Sequence, residues 1–130
     1  MKERRKIGET RLYRLEMNEK ILSSGNKGIQ RFFALDSGAY REGALPAATK
    51  ELMGLVGSLV LRCDDCVFYH LDRSVAEGVS REEILEAFEI ALVIGGSIVI
   101  PHLRRAFENL ERLLEEAGGP EGGNPEQGSA

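Results

Sequence analysis

Cys63-Asp64-Asp65-Cys66-Val67-Phe68-Tyr69-His70 is the stretch on which the reading of this chain turns. It holds the only two cysteines and one of the two histidines. On a helix, positions 63, 66 and 70 share one face, because steps of three and four residues are close to whole turns. Two thiols at that spacing can close a small disulfide ring, and an imidazole one turn further on can move their protons. Glu51 lies upstream. An unbroken helix would hold it roughly 18 Å from Cys63, so it joins the group only if the chain reverses. Arg62-Cys63-Asp64-Asp65 is polar between two apolar-striped segments, and Asp suits a helix start. These residues predict an antiparallel helical hairpin with the cysteines at the start of its second helix. Glu51 and His70 should face each other across it, about a turn out of level.

Outward from this stretch, most of the chain reads as helix. Val and Ile nowhere alternate with polar residues for long, so strands are not expected. Upstream, Leu52, Leu55, Val56, Leu59 and Val60 form a helical stripe over 47–61. Pro46 suits its first turn. Earlier helices are expected over 9–23 and 29–40, separated by Gly25-Asn26-Lys27-Gly28. Phe32, Phe33 and Leu35 are available for packing on the second. Downstream, Asp64 or Asp65 should cap a helix that ends near Gly78. Ser80-Arg81-Glu82-Glu83 has the form of a capping box opening a helix over 81–94. Gly95-Gly96 should end it, and Ser97 should cap a last helix running to about Ala117, with Pro101 bending or delaying its first turn. From Gly118 the composition turns to Gly, Pro, Glu, Asn and Ser, and 118–130 is expected to be a disordered tail. The expected fold is all-α: a single domain of about six helices over 1–117.

Bulk properties narrow the function. The chain has 130 residues, 42% of them apolar, and no Trp. That fits one soluble domain with a core that needs no disulfide staples. A net charge of −4 and a pI near 5.3 argue against non-specific nucleic-acid binding. The basic start, Met1 to Lys6, is followed by no apolar h-region, so no secretory signal is read. The apolar runs Ala91–Ile94 and Ile98–Ile100 are far short of a membrane span. The expected location is the cytoplasm, where such a cysteine pair is catalytic or metal-binding rather than structural.

The pair is open to two chemistries. Cys63, Cys66, His70 and Glu51 could together hold zinc. Against this, no second Cys or His pair follows, and His102 is far away in sequence. No metal and no cofactor are therefore expected. The redox reading places the pair at a helix N-terminus, where the dipole lowers a thiol pKa from about 8.5 toward neutral. A thiolate there attacks a peroxide or a disulfide, and the second cysteine resolves the product. His70 would accept a thiol proton and Glu51 would orient it, while Asp64 and Asp65 would oppose thiolate formation. Phe68 and Tyr69 read as core or interface packing. His102, Arg104 and Arg105 read as a solvated first turn of the last helix.

Glu51, Cys63-x-x-Cys66 and His70 at this spacing resemble the alkylhydroperoxidase D family of the carboxymuconolactone decarboxylase-like superfamily. Lys50-Glu51-Leu52, Gly95-Gly96-Ser97 and Pro101-His102 share in the likeness, which covers roughly residues 40–110. The resemblance implies an all-helical homo-oligomer, a trimer or hexamer. It implies a cysteine pair that reduces hydroperoxides and is regenerated by a dithiol such as a lipoylated protein. By position, Cys66 resembles the peroxide-attacking cysteine, Cys63 its disulfide partner, and His70 with Glu51 the proton relay. The family's best-described members carry a histidine just before the second cysteine, where this chain has Asp65. The competing branch decarboxylates a lactone acid without a cysteine pair, and His102, Arg104 and Arg105 would be its anion anchors. A third reading is a non-enzymatic oligomer that uses the disulfide as a switch.

Overall fold

In a computed structural model, residues 6–118 are described. Among them there are six α-helices, one 3-10 turn and no strand. The expected tail over 118–130 lies, except for Gly118, outside the described residues. The chain divides into two compact units, one ending at Arg41 and one beginning at Glu42.

The first unit is a helical hairpin of α1 (Ile7–Ser23) and α2 (Lys27–Ala39). Gly25, at a φ of 84°, turns the chain, and Asn26 caps α2 by accepting a hydrogen bond from the Ile29 amide at 3.0 Å. The break is therefore shorter than Gly25–Gly28, because Lys27 and Gly28 already belong to the helix. The Gln30 amide reaches back to donate to the Leu22 carbonyl at 2.9 Å. No residue of either helix is buried. The expected packing of Phe32 and Leu35 is not made within this hairpin, where both are exposed and Phe33 is half-buried.

The second unit carries the core. It consists of α3 (Ala47–Val60), α4 (Asp64–Ala76), α5 (Arg81–Gly95), a 3-10 turn (Ser97–Val99) and α6 (Ile100–Gly118). Helix α3 packs against α4 and α5, and α4 packs against α6. Pro46 sits just outside α3 as its N-cap rather than within the first turn. Of the α3 stripe, Leu55 and Leu59 are fully buried. They meet a core that includes Val67, Phe68 and Leu71 of α4, Ile84 and Phe88 of α5, and Leu110 and Leu113 of α6. Truncating a fully buried Leu of this kind costs about 2–5 kcal/mol.

Three junctions position the site. Helix α3 is closed off by Arg62, which lies two residues past Val60 and takes the left-handed conformation at a φ of 62°. The Cys63 amide then bonds the Ser58 carbonyl and the Arg62 amide bonds the Leu59 carbonyl, each at 3.0 Å. This is a Schellman ending, and it reverses the chain in three residues. Helix α4 ends in the same way on Gly78, at a φ of 83°, with Val79 bonding Ser74 and Gly78 bonding Val75. Helix α5 opens on the expected capping box: Ser80 Oγ accepts from the Glu83 amide at 3.1 Å, and the Ser80 amide donates to Glu83 Oε1 at 2.8 Å. Its far end differs from expectation. Ser97 does not cap α6; it opens a 3-10 turn closed by the Val99 amide on the Gly96 carbonyl. Pro101 lies in the first turn of α6, where its missing N–H costs nothing. No described helix is long and apolar enough to cross a membrane.

Candidate active site

Cys63 itself caps α4, where an Asp was expected to do so. Its Sγ accepts a hydrogen bond from the Cys66 amide at 3.3 Å, and the helix begins one residue later. The reason is the shortness of the turn: with Arg62 spent on reversing the chain, Cys63 is the residue left at the extended cap position. The two cysteines form a disulfide, with Cα atoms 5.3 Å apart. That separation lies within the ordinary range for such a bond. Cys66 is exposed and Cys63 is half-buried.

Glu51 and His70 meet in the interior, between α3 and α4. Glu51 Oε1 stands 2.9 Å from His70 Nδ1, and the two residues are only 4% and 8% exposed. They are thus in direct contact rather than a turn out of level. The cause is Gly54, one turn along α3 from Glu51. A Cβ there would stand 2.5 Å from His70 Cε1 and 2.7 Å from both ring nitrogens. Only a residue without a side chain lets the imidazole lie against the helix. Against an ionised carboxylate, which can only accept, Nδ1 is the donating ring nitrogen. His70 follows Cys66 by one helical turn on α4, and the Tyr69 ring stands edge-on to the imidazole at 5.2 Å. Phe68 is in the core, as expected of it.

A second histidine–carboxylate pair involves Asp64, the neighbour of Cys63, and was not foreseen from the spacing of residues. Asp64 Oδ1 is 2.8 Å from His102 Nδ1, and Asp64 Oδ2 accepts from Arg105 Nη1 at 3.0 Å. The first turn of α6 is therefore not merely solvated, as had been read: two of its side chains are tied to α4. No pattern in a single sequence links residue 64 to residues 38 and 41 positions away. As for metals, both sulfurs are taken up in the disulfide. Among the described residues no three His, Cys, Asp or Glu side chains group as a metal site requires.

An all-helical unit with a cysteine pair at a helix start and a buried Glu–His pair beside it defines a recognisable class. The chain belongs to the carboxymuconolactone decarboxylase family, whose model matches residues 29–109. An uncharacterised protein of Cupriavidus necator is 34% identical over 85 residues, which span 65% of this chain and 75% of that one. Among solved structures, a Thermotoga maritima protein is 62% identical at a TM-score of 0.81, covering 85% of this chain and 97% of its own. A second crystal structure of the same T. maritima protein superposes at a TM-score of 0.79 over 82% of this chain and 90% of its own, again 62% identical. It is described as a family member with a suggested involvement in the antioxidative response. The apo form of a Legionella pneumophila family member is 26% identical at a TM-score of 0.71, covering 76% of this chain and 88% of that one.

Proposed function

We infer that the protein is a thiol-dependent peroxidase and disulfide oxidoreductase of the alkylhydroperoxidase D type. The observation that carries this reading is the Cys63–Cys66 disulfide at the start of α4 with the buried Glu51–His70 pair one turn along. Exposure supports Cys66 as the attacking sulfur. Its thiolate takes the distal oxygen of a hydroperoxide; the O–O bond breaks, Cys66 becomes a sulfenic acid, and the departing alkoxide takes a proton. His70 Nε2, with Nδ1 anchored by Glu51, is the group that stores and returns that proton. Cys63 then attacks the sulfenic sulfur, water leaves, and the disulfide forms. A dithiol donor, a lipoylated protein by family likeness, attacks the exposed Cys66 sulfur. Cys63 leaves as a thiolate, and the donor's second thiol completes the exchange.

The cap position supports this last step. A leaving thiolate at Cys63 accepts the Cys66 amide and faces the positive end of the α4 dipole. The lactone-decarboxylase reading draws less support, because His102 and Arg105 are already engaged by Asp64. The deciding experiment measures consumption of organic hydroperoxide with several dithiol donors, beside lactone decarboxylation, in wild type and Cys66→Ser. Turnover lost in the variant supports the reading, and equal consumption by both proteins removes it. Glu51→Gln and His70→Gln should lower turnover by roughly 100-fold or more, and should move alkylation of Cys66 to higher pH. An unchanged pH profile in both takes the pair out of the mechanism.

A further inference from the structure

Asp64 is the first helical residue of α4 and the immediate neighbour of Cys63, yet its carboxylate is held from another helix. His102 and Arg105 stand three residues apart on α6, so they share a face, and each takes one oxygen of Asp64. The contact ties the start of α6 to the start of α4, one residue from a redox sulfur.

The charge around Cys63 matters when the disulfide opens, because Cys63 must then carry a negative charge. The charged and titratable groups next to the pair in sequence, or bonded to those neighbours, are Arg62 in the turn, Asp64, Asp65 and His70 on α4, Glu51 on α3, and His102 and Arg105 on α6. Glu51 and His70 are joined to each other. Asp65 is exposed, where solvent and salt screen it. Asp64 is the adjacent carboxylate, and left alone it would oppose a thiolate at Cys63. Its geometry answers that opposition: Arg105 supplies a permanent positive charge at 3.0 Å, and His102 fixes the second oxygen at 2.8 Å.

We propose that Arg105 and His102 are positioning residues that hold and neutralise the Asp64 carboxylate, so that Cys63 is a good leaving thiolate for an incoming dithiol. The dithiol rests on the function proposed above; the effect on the Cys63 thiol does not. Neither α6 side chain is assigned contact with substrate. Their action runs through Asp64.

The chain has two cysteines, so Cys66→Ser leaves Cys63 as the single thiol and keeps the residue-66 amide that caps it. Alkylation of this protein across pH reads the Cys63 thiol alone, with circular dichroism confirming that each variant is folded. Adding Arg105→Gln or His102→Ala should raise the midpoint, by about half a pH unit for Arg105→Gln, which is about a threefold loss of rate below the midpoint. Adding Asp64→Asn instead should lower it. In the Asp64→Asn background, Arg105→Gln should shift the midpoint by less than a third of its former amount, because its partner charge is gone. A purely structural clamp would make the Asp64 and Arg105 variants move the same way, and that result overturns the proposal. So does an Arg105→Gln shift that is equal with and without the Asp64 carboxylate, or the absence of any shift. No peroxide enters the measurement, so a protein without peroxidase turnover can still pass or fail this test.

Discussion

Gly54 decides whether His70 has a place to lie. In the middle of a helix, Gly→Ala ordinarily gains about 1 kcal/mol, because Ala costs less backbone entropy. Gly57, on the same helix with open space where its Cβ would be, should show that gain. Gly54→Ala should show the opposite sign. Its methyl would collide with a buried ring that is also held by Glu51, and overpacking of this kind costs about 1–3 kcal/mol. Thermal unfolding of the two variants side by side checks the pair; stabilisation by Gly54→Ala would mean that the ring is not confined. The contrast also shows what the sequence could and could not reveal at this scale. Glu51, Cys63, Cys66 and His70 were legible because helical spacing and one turn suffice to gather them. Gly54 was not, since a glycine that makes room for a ring looks like any other glycine. Asp64 was read as a cap or as a carboxylate opposing the thiolate, and His102 as solvated, because only tertiary packing brings α6 against α4.

At the scale of the element, α3 and α4 end on the same hydrogen-bond motif with different residues at its left-handed position. Helix α4 uses Gly78, for which that conformation is free of strain; α3 uses Arg62. A side chain there costs roughly 1–2 kcal/mol. Arg62→Gly should therefore raise stability in denaturant unfolding by up to about 1 kcal/mol after the entropy of a flexible unfolded glycine is deducted. A loss of stability would show that the Arg62 side chain contributes more than its strain costs. The capping box of α5 gives a pH test. The Ser80 amide first, and then the Ser80 hydroxyl, hold the Glu83 carboxyl below its ordinary value of 4.5. A lowered carboxyl pKa adds stability above the unfolded value, and this is lost as pH falls through the folded one. Wild type should thus melt above Glu83→Gln at pH 7, and the gap should narrow as pH falls below 4.5 and through the folded value. A gap that persists in acid would assign the effect to something other than the charge. Caps and stripes of this sort were readable in sequence, as the box at Ser80 was. The start of α6 was misread because Ser97 has the chemistry of a cap, while Gly96, at a φ of 82°, directs the chain into a 3-10 turn instead.

At the scale of the whole molecule, the apolar surface left uncovered is large. Helix α5 carries Ile84, Leu85, Phe88, Ile90, Ala91, Leu92, Val93 and Ile94, which leave it little polar face. Within one chain it buries Ile84, Phe88 and Ala91, while Val93 and Ile94 remain 77% and 63% exposed. On α1 and α2, Leu12, Leu15, Phe32 and Leu35 are exposed as well. Surfaces of this kind mark association sites. We propose that copies of the chain cover them in a closed trimer or hexamer. Light scattering at micromolar concentration should give a mass of three or six times 14.3 kDa, and Val93→Asp with Ile94→Asp should lower it. A monomeric wild type sinks the proposal. The packing order within the second unit has a different consequence, in time rather than in energy. Helix α3 meets its neighbour α4 and then α5, and α4 meets α6, so the main packed pairs of this unit are neighbours or next neighbours along the chain. Helical chains whose packed pairs are this near in order fold in roughly microseconds to milliseconds, the longer α4–α6 closure costing more entropy than the α3–α4 one. The site's two histidine–carboxylate pairs, one between α3 and α4 and the other between α4 and α6, should then form in succession, with the Glu51–His70 pair made before Asp64 receives its partners.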